Sequence, residues 1–507
     1  MSANFLITTA NNQDAVEKAA RASTDLYRLE KSGKWIFVLF GDSAAKNYIS
    51  STESDDAKHY LIGRIENLNE LRAIGAAFSS SVLTSSPAEV VRILQQSLGD
   101  RIFSMIDGAF SFITLTRSDD LFIATDALGQ KPVSTVTHSH LWISTELKRI
   151  SEFAGPDVFQ FHSDATVCMS DFRADDFLPI KNGKRLKPGS VSRFAFDGIQ
   201  NPYQETQCYD LPRMGTTQRI SKDLAFHLID RLLKTCVNNT VDRHEVIGIP
   251  LSGGLDSSLI TALASLNKVN IHTFSIGTES GNEFEFSRRV ADLVGAKHSE
   301  FILSEEQVFR GIFESIYLNE IYDGLSAEIQ SGLFNVYRIA SGSVKHVLTG
   351  YGADLIFGGV LRPGMATEQA NEGLWQQVYR TRWTGEFSHA GAAHFGLSVS
   401  HPFWTTRLIG FCRDLDPEFK VAADEVKPLL RSYAEKLDLL PRDIVWRKKI
   451  GIHEGSSINR TFATKLGLKP EDYAGKTRFV FSLYKAIMTH SLRLEDTTHS
   501  ILSRYAA

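Results

Sequence analysis

An apolar run, Val246-Ile247-Gly248-Ile249-Pro250-Leu251, passes directly into Ser252-Gly253-Gly254-Leu255-Asp256-Ser257-Ser258 and then into residues with helical periodicity. Strand, glycine turn and helix in that order constrain the fold more than any other feature. They build a junction whose helix N-terminus lies at the carboxyl end of a buried strand. Two glycines let the backbone approach an anion closely. The free N–H groups and dipole of the helix start favour phosphate. Ser252, Ser257 and Ser258 add hydroxyl donors. Asp256 would repel phosphate unless Mg²⁺ lay between them. A tight turn with an Asp-Ser cap is the plain structural alternative.

The residues around this junction alternate in the same way. Helical patterns cover about 218–238, 257–267, 283–295 and 305–342, with strands at 269–276, 297–303 and 345–348. That alternation predicts a parallel, doubly wound α/β sheet whose ligand sits beyond the strand ends. Two such ends carry unusual residues, 252–258 and 350–354. The chain beyond about 360 reads as mainly helical. The first 200 residues differ: short aromatic and β-branched runs at 35–40, 60–65, 109–115 and 121–125, and a helix at 87–98, predict layered sheets flanked by helices. A polar, turn-rich stretch at 197–217 reads as a linker, giving two domains, 1–205 and 206–507. Ala474-Gly475-Lys476-Thr477 resembles the end of a Walker loop, but Pro470 replaces its first glycine, so it reads as a surface turn.

With 55 basic and 59 acidic residues, the net charge is -4, which leaves no electrostatic footprint for nucleic acid or anionic lipid. Cys168, Cys208, Cys236 and Cys412 form no CxxC pair, consistent with a reducing compartment. Met1-Ser2-Ala3-Asn4 lacks the start of a signal peptide, and no apolar run reaches the ~20 residues that span a bilayer. The expectation is a cytoplasmic protein, and the charge does not exclude an acidic small molecule held by a few local cations.

The seven-residue string resembles the pyrophosphate loop of the ATP pyrophosphatase family. Thr349-Gly350-Tyr351-Gly352-Ala353-Asp354, followed by Gly358-Gly359, resembles the second signature of the asparagine synthetases. In the first half, Leu61–Asn67, Asp107–Phe112, Asp126–Pro132, Ser144–Lys148 and Leu186–Gly189 resemble the class II glutaminase domain of that family. The implied fold is an α+β, Ntn-hydrolase-like αββα domain followed by an α/β, adenine-nucleotide α-hydrolase-like domain with a helical C-terminal part.

Two departures narrow the resemblance. Position 2 is Ser2 where a class II glutaminase has its nucleophilic cysteine, and the first cysteine is Cys168. The Arg64 segment also departs from the family's Asn-Gly-Glu glutamine-site pattern. Both imply a retained fold without ammonia production. Tyr351 stands where the synthetases usually have Glu. With these changes the chain resembles the β-lactam synthetase branch, and within it the carbapenam-forming members, over Glu320–Gly332, Val378–Phe387 and Val445–Ser457.

That resemblance implies ATP and Mg²⁺. It implies adenylation of a (2S,5S)-5-carboxymethylproline-like carboxylate, then closure to carbapenam-3-carboxylate with release of AMP and pyrophosphate. Tyr351 and Glu386 would accept the amine proton. Lys449 would stabilise the tetrahedral intermediate and lower the pKa of Tyr351. Asp256 and Asp354 would hold magnesium. Leu251, Ser252, Gly253, Gly254, Asp256, Ser257, Ser258, Ser275, Ile276, Gly350 and Lys427 would contact nucleotide, and Tyr322, Gly352, Arg380 and Arg382 the substrate. The family implies a homo-oligomer, dimer or tetramer, and a place in antibiotic biosynthesis. The residues alone leave plainer readings open: Glu386 as a solvated helix-end charge, Lys427 as an amphipathic-helix cation, Lys449 as surface charge. At the level of function the alternatives are another β-lactam or peptide-lactam cyclase, a glutamine-independent asparagine synthetase, and a nucleotide-binding pseudoenzyme.

Overall fold

A computed structural model describes residues 3–41, 45–163, 178–194, 204–207 and 220–505. Ser2, Cys168 and Cys208 lie outside them. The N-terminal strands are β1 (Asn4–Thr9), β2 (Leu26–Ser32), β3 (Trp35–Phe40), β4 (Ile49–Glu53), β5 (Ala57–Ile65), β6 (Gly108–Thr116), β7 (Leu121–Thr125), β8 (Ser134–Thr137), β9 (Leu141–Ser144), β10 (Gly183–Arg185), β11 (Ser190–Phe194) and β12 (Gln204–Gln207). They form two antiparallel sheets, ordered β10-β8-β9-β1-β3-β2 and β12-β11-β7-β6-β5-β4. Side chains alternate between faces with period two. Phe5 and Ile7 of β1 therefore pack with Tyr60, Ile113 and Ile123 between the sheets. Leu6, one position over, faces outward.

Helices cover both outer faces. α1 (Gln13–Ala22) and α4 (Leu147–Ala154) lie on the first sheet, and α2 (Leu68–Gly75) and α3 (Pro87–Leu98) on the second. Ser86 caps α3 through its hydroxyl, with Pro87 at the first helical position. This is the expected αββα sandwich. The stretch expected as a linker, 197–217, includes β12, which pairs with β11 in the second sheet. That strand is part of the sandwich; Gln204-Glu205-Thr206-Gln207, polar at every position, is an edge strand too polar to stand out by hydrophobicity.

The second half begins with α5 (Lys222–Val241) and winds a parallel sheet ordered β15-β14-β13-β16-β17. Its strands are β13 (Val246–Pro250), β14 (Asn270–Thr278), β15 (Lys297–Leu303), β16 (His346–Leu348) and β17 (Ser398–Ser400). The connecting helices are α6 (Leu255–Ser265), α7 (Phe284–Leu293), α8 (Glu305–Asn319) and α9 (Gly324–Ala340). The helices expected over 305–342 are α8 and α9, parted at Glu320, which caps α8 in a left-handed conformation, before Asp323 caps α9. β17 lies in the part expected to be helical. Three residues beside a covered strand need no hydrophobic run of their own. The order reverses between β13 and β16, so the crevice falls beyond their carboxyl ends. After β16 come the short α10 (Ala353–Phe357) and the long α11 (Thr367–Thr384).

Lys476 corrects another expectation. It is fully buried in helix Tyr473–Met488, where its ammonium pairs with the buried Glu328. Ala474–Thr477 is therefore a core helix turn, with no strand before it to make a phosphate loop. No helix among the described residues is long and apolar enough to cross a membrane.

Candidate active site

A cavity of about 580 Å³ opens at the reversal point. Its floor is the turn between β13 and α6, and one wall is the turn between β16 and α10. The two turns pack backbone to backbone. A Cβ on Gly350 would lie 2.6 Å from the Ser257 nitrogen and 2.7 Å from the Asp256 carbonyl carbon. Gly253 has φ of +70°. A side chain there would strike Phe286 and the Ser287 nitrogen, so this glycine lets α7 close on the loop.

Leu251, Ser252, Gly254, Asp256, Ser257, Ser275, Ile276 and Gly350 line the cavity, with Gly352, Tyr351, Asp354, Arg380, Glu386, Lys427 and Lys449. Ser258 does not. It is fully buried in α6, because successive helical side chains point about 100° apart and Ser257 already faces the cavity. Gly253 acts through packing and is not a lining residue. The Ser275 hydroxyl donates to the Leu251 carbonyl and ties β14 to the loop. Tyr322 packs edge-on against Tyr484 in the core, away from the cavity. Arg382 also lies elsewhere: it is fully buried, and Nη2 donates to the Pro188 carbonyl at 2.7 Å, across the domain boundary. Arg380, two positions earlier on α11, turns to the cavity with Gln377, Thr381 and Thr384.

Lys427 is no surface cation. It is buried, holds a left-handed conformation with φ of +61° as the cap of helix Pro428–Leu437, and reaches both carboxylates. Its ammonium lies 2.7 and 2.6 Å from the Asp256 oxygens and also pairs with Asp354. Lys449 pairs with the other Asp354 oxygen at 2.7 Å. Burial works against the Asp354 carboxylate, but Lys427 and Lys449 outweigh it and hold its pKa well below the usual range. Burial and the neighbouring Asp354 charge push Asp256 the other way. Burial likewise opposes the Lys449 ammonium, yet Asp354 and Asp256 prevail and raise its pKa. Two carboxylates facing each other across a shared ammonium form an oxygen donor set suited to Mg²⁺ completed by phosphate oxygens. Among the described residues no three His, Cys, Asp or Glu side chains gather as a metal site.

Across the cavity the Tyr351 hydroxyl donates to Glu386 Oε2. Glu386 Oε1 accepts from Ser326 Oγ at 2.8 Å, so both carboxylate oxygens are held. Ser326 lies in the first turn of α9, where Asp323 Oδ1 accepts its backbone N–H at 2.8 Å. Burial, then the Asp323 charge, raises the Glu386 pKa, and the bonds from Tyr351 and Ser326 oppose that rise. Burial and Glu386 drive the Tyr351 phenol well above its ordinary value. The expectation that Lys449 lowers it is thus reversed: Lys449 is engaged by Asp354, and the charge beside the phenol is negative.

Ser326 and Asp323 were not singled out from sequence. Asp323-Gly324 carries the signal of a helix start, but nothing local says that this turn meets residue 386. Arg447 was also missed: it pairs with Glu283 and lies 3.6 Å over the Phe286 ring at the cavity wall.

An asparagine synthase model matches residues 228–391 and 386–466, and a model of the carbapenam-3-carboxylate synthase N-terminal domain matches residues 35–207. The second half of the chain is thus similar to the asparagine synthetase family, and most of the first half to the carbapenam-3-carboxylate synthase N-terminal domain. Asparagine synthetase [glutamine-hydrolyzing] of Zea mays is 26% identical over 417 residues, 78% of this chain and 65% of that protein. The chain thus spans just under two thirds of the length of that relative. Carboxyethyl-arginine beta-lactam-synthase of Streptomyces clavuligerus is 26% identical over 401 residues, 78% of this chain and 73% of that protein. Among solved structures, a glutamine phosphoribosylpyrophosphate amidotransferase from B. subtilis covers 74% of this chain and 89% of its own at 10% identity, with a TM-score of 0.29.

Proposed function

We propose that this chain is an ATP-dependent, AMP-forming cyclo-ligase. It adenylates the carboxylate of a 5-carboxymethylproline-like amino diacid and closes it onto the ring nitrogen, giving carbapenam-3-carboxylate. The observation that carries the reading is the Tyr351–Glu386 pair facing the phosphate loop across one cavity. A ring amine must shed a proton as it acylates, and this pair is a proton acceptor at that place. The lactam chemistry in the name of the Streptomyces clavuligerus relative supports the same reading.

In the first step a carboxylate oxygen attacks the α-phosphorus of ATP and the bond to the β-phosphate oxygen breaks, releasing pyrophosphate. The N–H groups of the 252–257 turn and the Lys427 ammonium bind the phosphate oxygens. Asp256 and Asp354 would hold Mg²⁺, which supplies charge neutralisation at those oxygens. In the second step the ring nitrogen attacks the acyl carbon. Its proton passes to the Tyr351 oxygen while the Tyr351 proton moves to Glu386. Because the phenol is held neutral by its surroundings, this relay replaces a preformed phenolate. Lys449 stabilises the negative oxygen of the tetrahedral intermediate, which collapses by breaking the bond to AMP. Holding amine and acyl carbon together makes ring closure unimolecular, with an effective molarity of roughly 10⁵ M or more. Arg380, with Gln377 and Thr381, binds the second carboxylate.

Protein, MgATP and 5-carboxymethylproline should yield AMP, pyrophosphate and a product lighter by one water. Tyr351→Phe should keep ATP–pyrophosphate exchange and lose closure by about 10²–10⁴-fold. Asparagine formed from aspartate and ammonia, with no cyclised product, would overturn the reading.

A further inference from the structure

We infer that the N-terminal sandwich, which carries Ser2 where a glutaminase needs cysteine, sets the Tyr351–Glu386 pair in place, with Arg185 as the principal positioning residue. The inference rests on the reading of that pair as the proton acceptor.

The evidence is a set of contacts that cross the domain boundary within a few residues of the pair. The last carbonyls of a helix have no partner inside it. Helix α11 ends at Thr384, Gly385 turns the chain with φ of +78°, and Glu386 follows. Arg185, at the end of β10, donates Nη1 to the Trp383 carbonyl in that last turn. A buried guanidinium there satisfies an orphan acceptor and suits the negative end of the helix dipole. The contact is answered in reverse: Arg382 of α11 donates Nη2 to the Pro188 carbonyl at 2.7 Å. Both arginines are almost wholly buried, so neither bond competes with bulk water.

The same N-terminal loops reach Tyr351 by a second route. The Leu128 carbonyl accepts from the Trp404 indole at 3.4 Å. Trp404 stacks on Phe387 with centroids 4.2 Å apart and planes 3° from parallel. Phe387 stacks on Tyr351 at 4.7 Å. Leu128 and Pro188 belong to turns that are themselves locked together. The Asp126 carboxylate accepts from the backbone nitrogens of Leu128, Gln130 and Lys131 at 3.1, 2.9 and 2.8 Å, and Gly189 donates to the Asp126 carbonyl at 2.9 Å. Next to Leu128, Gly129 fits against α11 with no room for a Cβ, which would lie 2.0 Å from the Arg382 carbonyl oxygen. One rigid corner of the sandwich thus holds the backbone beside Glu386 and the ring stack beneath Tyr351. Proton transfer between two groups requires hydrogen-bond contact, and displacement of about 1 Å can cost 10²-fold in rate.

The test uses the full chain and compares Arg185→Met, which keeps length without a donor, with Arg185→Lys, which restores charge and a donor. In Arg185→Met, ATP–pyrophosphate exchange and both KM values should stay within twofold of wild type, while AMP-forming closure falls roughly 10- to 100-fold. Arg185→Lys should recover part of that loss. Unchanged closure in Arg185→Met, or equal loss of exchange and closure in a folded variant, overturns the inference. Should Arg185→Met not fold, Trp404→Phe carries the test. It keeps a ring against Phe387, drops the bond to Leu128, and should slow closure severalfold with exchange intact; wild-type closure would overturn the inference. If wild type itself forms no AMP from any amino diacid, the functional reading fails. The positioning claim then stands or falls on the crystal structure of Arg185→Met, where contact between Tyr351 and Glu386 should be lost or lengthened; an unchanged contact overturns it.

Discussion

At the scale of single residues, the chemistry turns on one proton shared between Tyr351 and Glu386. Glu386 can accept only when ionised, and its pKa is raised by burial and by the Asp323 charge. Closure should therefore fall on the acid side at a higher pH than an ordinary carboxylate would give. Two neighbours permit a paired test. Asp323→Asn keeps a good helix cap on Ser326 but removes the negative charge, so the acid limb of kcat should move to lower pH. Ser326→Ala removes the hydrogen bond to Oε1 that favours the ionised form, so the limb should move to higher pH. Shifts of the same sign would dismiss Glu386 as the acceptor. Tyr351, Glu386 and Lys449 stand out in sequence because they lie in long family-like strings. Ser326 does not, since its role exists only where the start of α9 meets a residue sixty positions away. The direction of the Tyr351 shift was equally hidden, being set by which partner Lys449 takes.

Among the elements, the junction between β13 and α6 was the most legible, because strand, glycines and helix start follow one another in sequence. What that turn faces was less so. The residues after 345 contain a short strand and two close glycines, but the packing of Gly350 on the Ser257 backbone is a fact of neighbouring strands. Lys427 illustrates the limit. In sequence it precedes Pro428 and an amphipathic run, which suits a surface helix; in the fold its left-handed backbone turns the side chain inward between two carboxylates. Removing one member of a buried charge cluster leaves the rest uncompensated. Lys427→Ala should therefore lower stability by about 3–5 kcal/mol in the presence of EDTA. Because Asp256 and Asp354 would then face each other with only Lys449, on the far Asp354 oxygen, to offset them, millimolar Mg²⁺ should return part of that loss. Urea unfolding with and without Mg²⁺ measures both effects. A variant as stable as wild type in EDTA would show that the carboxylates need no counter-charge.

For the whole molecule, the two fold classes were readable because each has its own periodicity: short strands in the first half, strand–helix alternation in the second. The surface between them was not, because its contacts join residues as many as 337 positions apart and several end on backbone carbonyls. Arg382 shows the consequence: its charge suggested a substrate carboxylate, while its actual partner is the Pro188 carbonyl. The contact surface also gives the molecule a pH dependence. Asp126 is fully buried at the corner that touches α11, and burial lifts its pKa to about 6 despite three backbone donors. The folded chain thus binds a proton there that the unfolded chain releases near 4. Stability from this group is complete below pH 4 and is lost as pH rises through 6. A shift of about two units corresponds to about 3 kcal/mol. The difference in unfolding free energy between wild type and Asp126→Asn should accordingly fall by about that amount between pH 4 and pH 7, measured by urea unfolding at each pH. A difference that grows across this window would mean that the backbone donors and Arg382 favour the ionised carboxylate more than burial opposes it. The corner that positions Tyr351 and Glu386 would then be held most firmly at neutral pH, where the relay is needed.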